Sequence, residues 1–134
     1  MKKMLIVPLL ICSMNAFAGP DYEAKSTVIV PHFVSIPNSP VTVSAEIYNE
    51  FTNNTNEPIW IMAYYNLMVE YCGGDPHQWK VKVNPHGVWR DHYKPMKQCR
   101  FPRGNFRIDA QGAIKAITVP FYTEEWKSSN INVQ

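Results

Sequence analysis

Residues 41–51 carry the clearest pattern in the chain. Val41, Val43, Ala45, Ile47 and Phe51 alternate with Thr42, Ser44, Glu46, Tyr48 and Glu50. A period of two sends successive side chains to opposite faces, so this stretch predicts a strand with one apolar and one polar side. Residues 27–34 are β-branched and apolar apart from Pro31, which suits an edge strand because proline has no N–H to give a ladder. Residues 59–72 are apolar on both faces and predict one or two central strands, although the length also admits a helix. Trp79, Val81 and Val83 alternate with Lys80 and Lys82, and another short strand is expected over Val88–Tyr93.

Near the C-terminus, residues 105–109 and 113–122 read as a hairpin turning at Ala110-Gln111-Gly112, followed by one helical turn over 123–129. Turn signals separate these runs at Pro37-Asn38-Ser39-Pro40, Asn53-Asn54-Thr55-Asn56, Gly73-Gly74-Asp75-Pro76 and Asn84-Pro85-His86-Gly87. About seven short strands at such spacing predict an all-β chain: a single antiparallel β-sandwich with an immunoglobulin-like layout. The likeness is one of architecture, because the buried tryptophan and tyrosine corner of antibody domains are missing.

Composition agrees. The 134 residues are 46% apolar and 18% charged, which suits one globular domain and excludes a disordered or collagenous chain. Eleven prolines argue against long helices. The N-terminus stands apart. Lys2 and Lys3 precede an apolar stretch over 4–14, and Ala16-Phe17-Ala18 supplies the small residues a signal peptidase needs. Residues 1–18 are therefore expected to be a cleaved signal peptide, leaving 19–134 as one domain. A lipid anchor at Cys12 is disfavoured by the bulky Ile11 before it. The apolar run at 59–69 is too short to span a bilayer, so no transmembrane helix is expected after cleavage. The expected location is periplasmic or extracellular. There Cys72 and Cys99, an even pair without Cys-x-x-Cys spacing, predict one disulfide.

Export also changes the charge. The formal net charge of +2 belongs to Lys2 and Lys3. Residues 19–79 hold seven acidic side chains against one basic, Lys25, whereas 80–134 hold ten basic against four acidic. Either the strands interleave and these charges pair, or opposed charged faces drive self-association or docking on a protein partner. The densest cationic segment contains Trp89, Arg90, Tyr93, Lys94, Lys97, Arg100, Phe101, Arg103 and Arg107. Arginines mixed with aromatics are the residue types of binding hot spots, so this segment is the expected binding surface. It suits an acidic protein face, and an acidic glycan or lipid headgroup is also compatible. Export argues against nucleic acid. Most tryptophans belong in the core, but Trp89 and Trp126 adjoin charges and are alternative contact residues.

Signals for catalysis are weak. No Gly-x-Ser-x-Gly elbow or phosphate-cradling glycine loop occurs, and the Glu46–Glu50 pair reads as a solvated strand face. Asp75, His77, His86, Asp91 and His92 have metal-ligating chemistry, but their spacing matches no metal site, which leaves His77, His86 and His92 as weak candidates. No cofactor is expected. Asn53 fits a glycosylation sequon. The function expected is that of an exported, non-catalytic β-sandwich that binds another macromolecule, as a subunit or accessory of an envelope or secretion assembly. A small secreted or periplasmic enzyme inhibitor is the alternative, with a metal-dependent enzyme behind it. The exported protein is expected to begin at Gly19 and to contain no free thiol. Intact mass and alkylation without reductant check both, and two alkylatable thiols would contradict the pairing.

Overall fold

The computed structural model describes residues 20–134, so the expected signal peptide and Cys12 lie outside the described residues. Nine strand segments follow one another: β1 Tyr22–Val34, β2 Val41–Asn53, β3 Ile59–Val69, β4 Gly73–Gly74, β5 His77–Val83, β6 Val88–Tyr93, β7 Met96–Cys99, β8 Gly104–Ala116 and β9 Tyr122–Val133. Two pairs of segments are single runs broken by a proline. Along β2, Tyr93 lies opposite Ile47 and Met96 opposite Ser44, an unbroken register, and the Ala45 N–H donates to the Pro95 carbonyl at 3.2 Å. Along β3, Gly74 lies opposite Met68 and His77 opposite Tyr65, with the Asp75 N–H donating to the Leu67 carbonyl at 3.0 Å. Pro76 and Pro95 have no N–H to continue the ladder, so pairing lapses without a change of register.

Seven runs result. One sheet has the order β1-β2-β6/β7 and the other β4/β5-β3-β8-β9, all antiparallel. Packed face to face, they make a β-sandwich, as the alternation predicts. The two inner faces supply the core. Val43, Ala45 and Ile47 from β2 meet Ala63, Tyr65 and Leu67 from β3 and Ile108 and Ala110 from β8. Phe51, Ile59, Ile61 and Ile114 fill the opposite end. Each fully buried large side chain contributes about 1.5–3 kcal/mol, and inward alternation on both sheets makes that burial possible.

Several details depart from the sequence reading. The expected turn at residues 110–112 is the middle of β8, and residues 123–129 belong to β9 rather than to a helical turn. Gly112 points into the core, where an added Cβ would stand 2.7 Å from Ile47 Cγ2. Glycine is there because the sheets come close, a role that local sequence does not distinguish from a turn. Residues 96–99 form a strand, β7, beyond those expected, and residues 59–72 contain one strand, which ends at Val69, and no helix. Pro31 sits in a bulge of edge strand β1, where the register shifts between Ile29 and His32.

Polar side chains are tied as tightly as the apolar ones. The Ser26 hydroxyl donates to Asn49 Oδ1 at 2.6 Å, and Asn49 Nδ2 crosses to the other sheet, donating to the carbonyls of Tyr64 (3.2 Å) and Ala113 (3.3 Å). Asn53, expected in a turn, is fully buried. Its Nδ2 reaches the carbonyls of Glu57, Val83 and Asn84, and its Oδ1 accepts from the Thr55 N–H and hydroxyl. The sequon is therefore a structural knot between two connecting loops. At the opposite end the expected disulfide joins Cys72, just after β3, to Cys99, the last residue of β7. It links the two sheets and closes a 27-residue separation, which is worth about 3–4 kcal/mol by loss of chain entropy in the unfolded state. Gly112→Ala is expected to destabilise the domain by about 1–3 kcal/mol in urea unfolding, through overpacking against Ile47. Gly74→Ala, whose Cβ meets nothing closer than 3.5 Å, should stay within about 0.5 kcal/mol of the wild type.

Candidate functional site

Strand alternation splits the expected cationic surface. Trp89 and Tyr93 lie opposite Phe51 and Ile47 on the inner side of β6 and pack on the core. Arg90 and Lys94 project from the outer side. Arg90 forms an ion pair with Glu50, and Lys94 adds its charge to the His92 hydrogen bond that chiefly lowers the pKa of Glu46. Half-buried Lys97 lies at the β7 edge opposite Val43, while Arg100 and Arg103 are exposed in the connection beyond the disulfide. Phe101 and Phe106 stack at 4.7 Å and close the core beside Cys72. Arg107 emerges on the outer face of the other sheet, where its Nε donates to Asp109 at 2.9 Å. These nine residues occupy the core, two outer faces and one end, and form no common surface.

The histidines are equally dispersed. His77 lies 3.5 Å from Asp75, His86 bonds Asn56 at 2.7 Å, and His92 bonds Glu46 at 3.0 Å while stacking on Tyr48 at 4.0 Å. Asp91 accepts a 2.6 Å hydrogen bond from the hydroxyl of Tyr65, whose pKa burial and then this bond push far above the ordinary phenol value. Among the described residues no group of three or more His, Cys, Asp or Glu is placed to hold a metal ion. Glu46 and Glu50 point to the same side of β2, and each meets a basic partner on β6. Pairing of the acidic half with the basic half is thus built into the β2–β6 register.

The surface least expected from the sequence is the outer face of the four-stranded sheet. On β3 the outward positions are Trp60, Met62, Tyr64, Asn66 and Met68, and opposite them on β5 stand Lys82, Lys80 and Gln78. On the other side Lys115, Ala113 and Gln111 of β8 lie between β3 and the β9 residues Tyr122, Glu124 and Trp126. Trp60 is 37% exposed, Tyr122 52% and Trp126 45%, whereas Ala113 at the centre is only 1% exposed, roofed by its larger neighbours. The rings are held in place. Glu124 accepts from the Tyr122 hydroxyl at 3.2 Å and from Trp126 Nε1 at 2.9 Å, and Lys80 Nζ lies 5.2 Å from the Trp60 ring centroid. Burial and then Glu124 raise the pKa of the Tyr122 hydroxyl. Lys80, Lys82 and Lys115 have no carboxylate within ion-pair distance among the described residues. Where β4 breaks from β5, a shallow cavity of about 480 Å³ is lined by Tyr64, Asn66, Pro76, Gln78 and Gln111, together with Tyr65 and His77. Asn66 Oδ1 is buried there without a hydrogen-bond partner. Of these residues the sequence singled out only Trp126, through its charged neighbours.

No protein-family model matches the chain, and no curated protein matches it. Solved structures similar to it include a putative ApaA protein from Bordetella pertussis, 10% identical over 84% of this chain and 94% of that one, with a TM-score of 0.40. A protein from Archaeoglobus fulgidus is 9% identical over 84% of this chain and 98% of that one, with a TM-score of 0.42. Likeness at that level carries no functional assignment.

The Glu46 carboxyl sits below the ordinary glutamate value, chiefly because His92 hydrogen-bonds it. A carboxylate lowered in the folded state stabilises the fold above its unfolded pKa, and that contribution is lost as pH falls through the folded value. In a carboxyl-carbon NMR titration, His92→Ala is expected to move Glu46 up towards 4.5. An unchanged midpoint would refute the assignment.

Proposed function

We propose that this protein is an exported, non-catalytic binding module that engages another macromolecule of the cell envelope with the outer face of its four-stranded sheet. One observation carries the reading: Trp60, Met68, Tyr122 and Trp126 are all solvent-exposed on that single face. Scattered apolar residues on a surface are ordinary, but large side chains gathered on one sheet face favour a surface that is covered in use. Two rings fixed by Glu124 and one beneath Lys80 lose little freedom on binding, which favours affinity. The disulfide and the pairing of Glu46 and Glu50 with basic partners are in keeping with a rigid scaffold that works outside the cytoplasm.

A second reading, an enzyme inhibitor, has its own support at the disulfide end. Tyr71 is 69% exposed with a positive φ of 73°, next to Cys72 and backed by Phe101 and Phe106. A strained aromatic presented by a stapled loop suits insertion into a partner's cleft. Co-purification from native envelope separates the two readings. Trp60→Ala/Trp126→Ala is expected to lower the captured material by about tenfold, while Tyr71→Ala/Arg100→Glu leaves it unchanged, since few residues carry most of the binding energy. Loss with the second variant only would favour the inhibitor.

A further inference from the structure

We infer that the ligand of the four-stranded face is an acidic polysaccharide, with sugar rings lying on Trp60, Tyr122 and Trp126 and sugar carboxylates meeting Lys80, Lys82 and Lys115. The inference rests on the binding role proposed for that face and gives it a substrate class.

Interleaving of apolar and polar groups is the first reason. Neighbouring positions across a sheet are about 4.8 Å apart, and at that spacing this face alternates rings with amides and charges. Glu124 lies between Tyr122 and Trp126, and Lys115 lies opposite Tyr122. The centre of a protein–protein interface is depleted of charged side chains, because stripping water from them is costly. A hydrated polymer leaves them wet. A sugar ring is amphipathic on the same scale, with C–H faces to lie on the aromatics and a rim of hydroxyls for the amides.

Charge supplies the second reason. Lys80 and Lys115 flank Met62 on either side, and Lys82 lies beside Trp60, three cations without carboxylate partners among the described residues. They call for an anionic ligand. Hydrogen-bond direction then selects among anions. Asn66 Oδ1 is an acceptor without a donor at the wall of the cavity, and Glu124 is an acceptor among the rings. A sugar hydroxyl donates to both, whereas a phosphodiester offers acceptors only. The polymer that combines stacking faces, hydroxyl donors and carboxylates is a polyuronate.

The mature protein titrated with hexameric oligogalacturonate and followed by amide NMR tests this directly. Shifts are expected at Trp60, Asn66, Gln111 and Trp126, with both tryptophan indole signals moving. Trp60→Ala, Trp126→Ala and Lys80→Gln/Lys115→Gln should each weaken binding by about tenfold, as truncated hot spots do. Raising salt from about 50 to about 500 mM should weaken it similarly, because exposed charges are screened. Shift mapping on the unaltered protein keeps the test decisive if a variant fails to fold. Absence of shifts on this face with the oligouronate overturns the inference. Equal binding of neutral cello-oligosaccharide overturns its acidic part, and tighter binding of oligo-dT or poly-Glu at the same residues overturns the sugar class. Those failures leave the binding face itself standing. Only unchanged envelope capture by Trp60→Ala/Trp126→Ala removes that.

Discussion

The tight approach of the two sheets at Gly112 is the constraint from which the rest of the structure follows. Asn49 of β2 crosses the core there and donates to the carbonyls of Tyr64 and Ala113 in the opposite sheet, while its own Oδ1 accepts from Ser26. A buried amide left unsatisfied costs about 1–3 kcal/mol, so a slip of either sheet that stranded Asn49 would be penalised. The bridge needs the room that a missing Cβ provides. With Ile47 only 2.7 Å from where that atom would stand, any larger residue pushes the sheets apart. Fixing this register decides which side of β3 and β8 is core, and so which side carries Tyr64 and Ala113 outward.

Both ends of the sandwich are pinned by different chemistry. Asn53 knots the connections after β2 and β5 through carbonyls of Glu57, Val83 and Asn84. Cys72–Cys99 staples the sheets at the far end. Between them, three of the four edge runs contain a proline: Pro31 in β1, Pro76 between β4 and β5, and Pro95 between β6 and β7. Each removes a donor from an edge that would otherwise template pairing with another chain. Edges blunted in this way leave the faces as the surfaces on which recognition can be built.

The two outer faces differ because of how the strands interleave. On the three-stranded sheet, β2 carboxylates meet β6 basic groups, so Glu50 is matched by Arg90 and Glu46 by His92. That pairing consumes much of the opposition between an acidic N-terminal half and a basic C-terminal half. On the four-stranded sheet, β5 and β8 bring Lys80, Lys82 and Lys115 alongside the exposed β3 positions, and none of the three meets a carboxylate within ion-pair distance among the described residues. Unmatched charge and exposed rings therefore coincide on one face.

The sequence by itself determined the architecture. Period-two alternation over 41–51, two cysteines left once the expected signal peptide is set aside and Pro31 in a β-branched run were enough for a stapled sandwich with an edge strand. Tertiary structure decided the rest, for identifiable reasons. Gly112 carries the same local signal as a turn glycine, and only the opposing sheet at Ile47 separates the two. Asn53 looks like a polar turn residue until the carbonyls of Val83 and Asn84 arrive from 30 and 31 positions away. A linear cluster such as Trp89 to Arg107 is divided by the alternation of the strands that contain it, so nearness in sequence did not become a surface. Residues 59–69 read as apolar on both faces, and nothing in them says which face stays uncovered. That was settled when β3 turned Tyr65 and Leu67 towards β2 and left Trp60, Tyr64 and Met68 outside, because a side chain's neighbours across a sandwich belong to other strands.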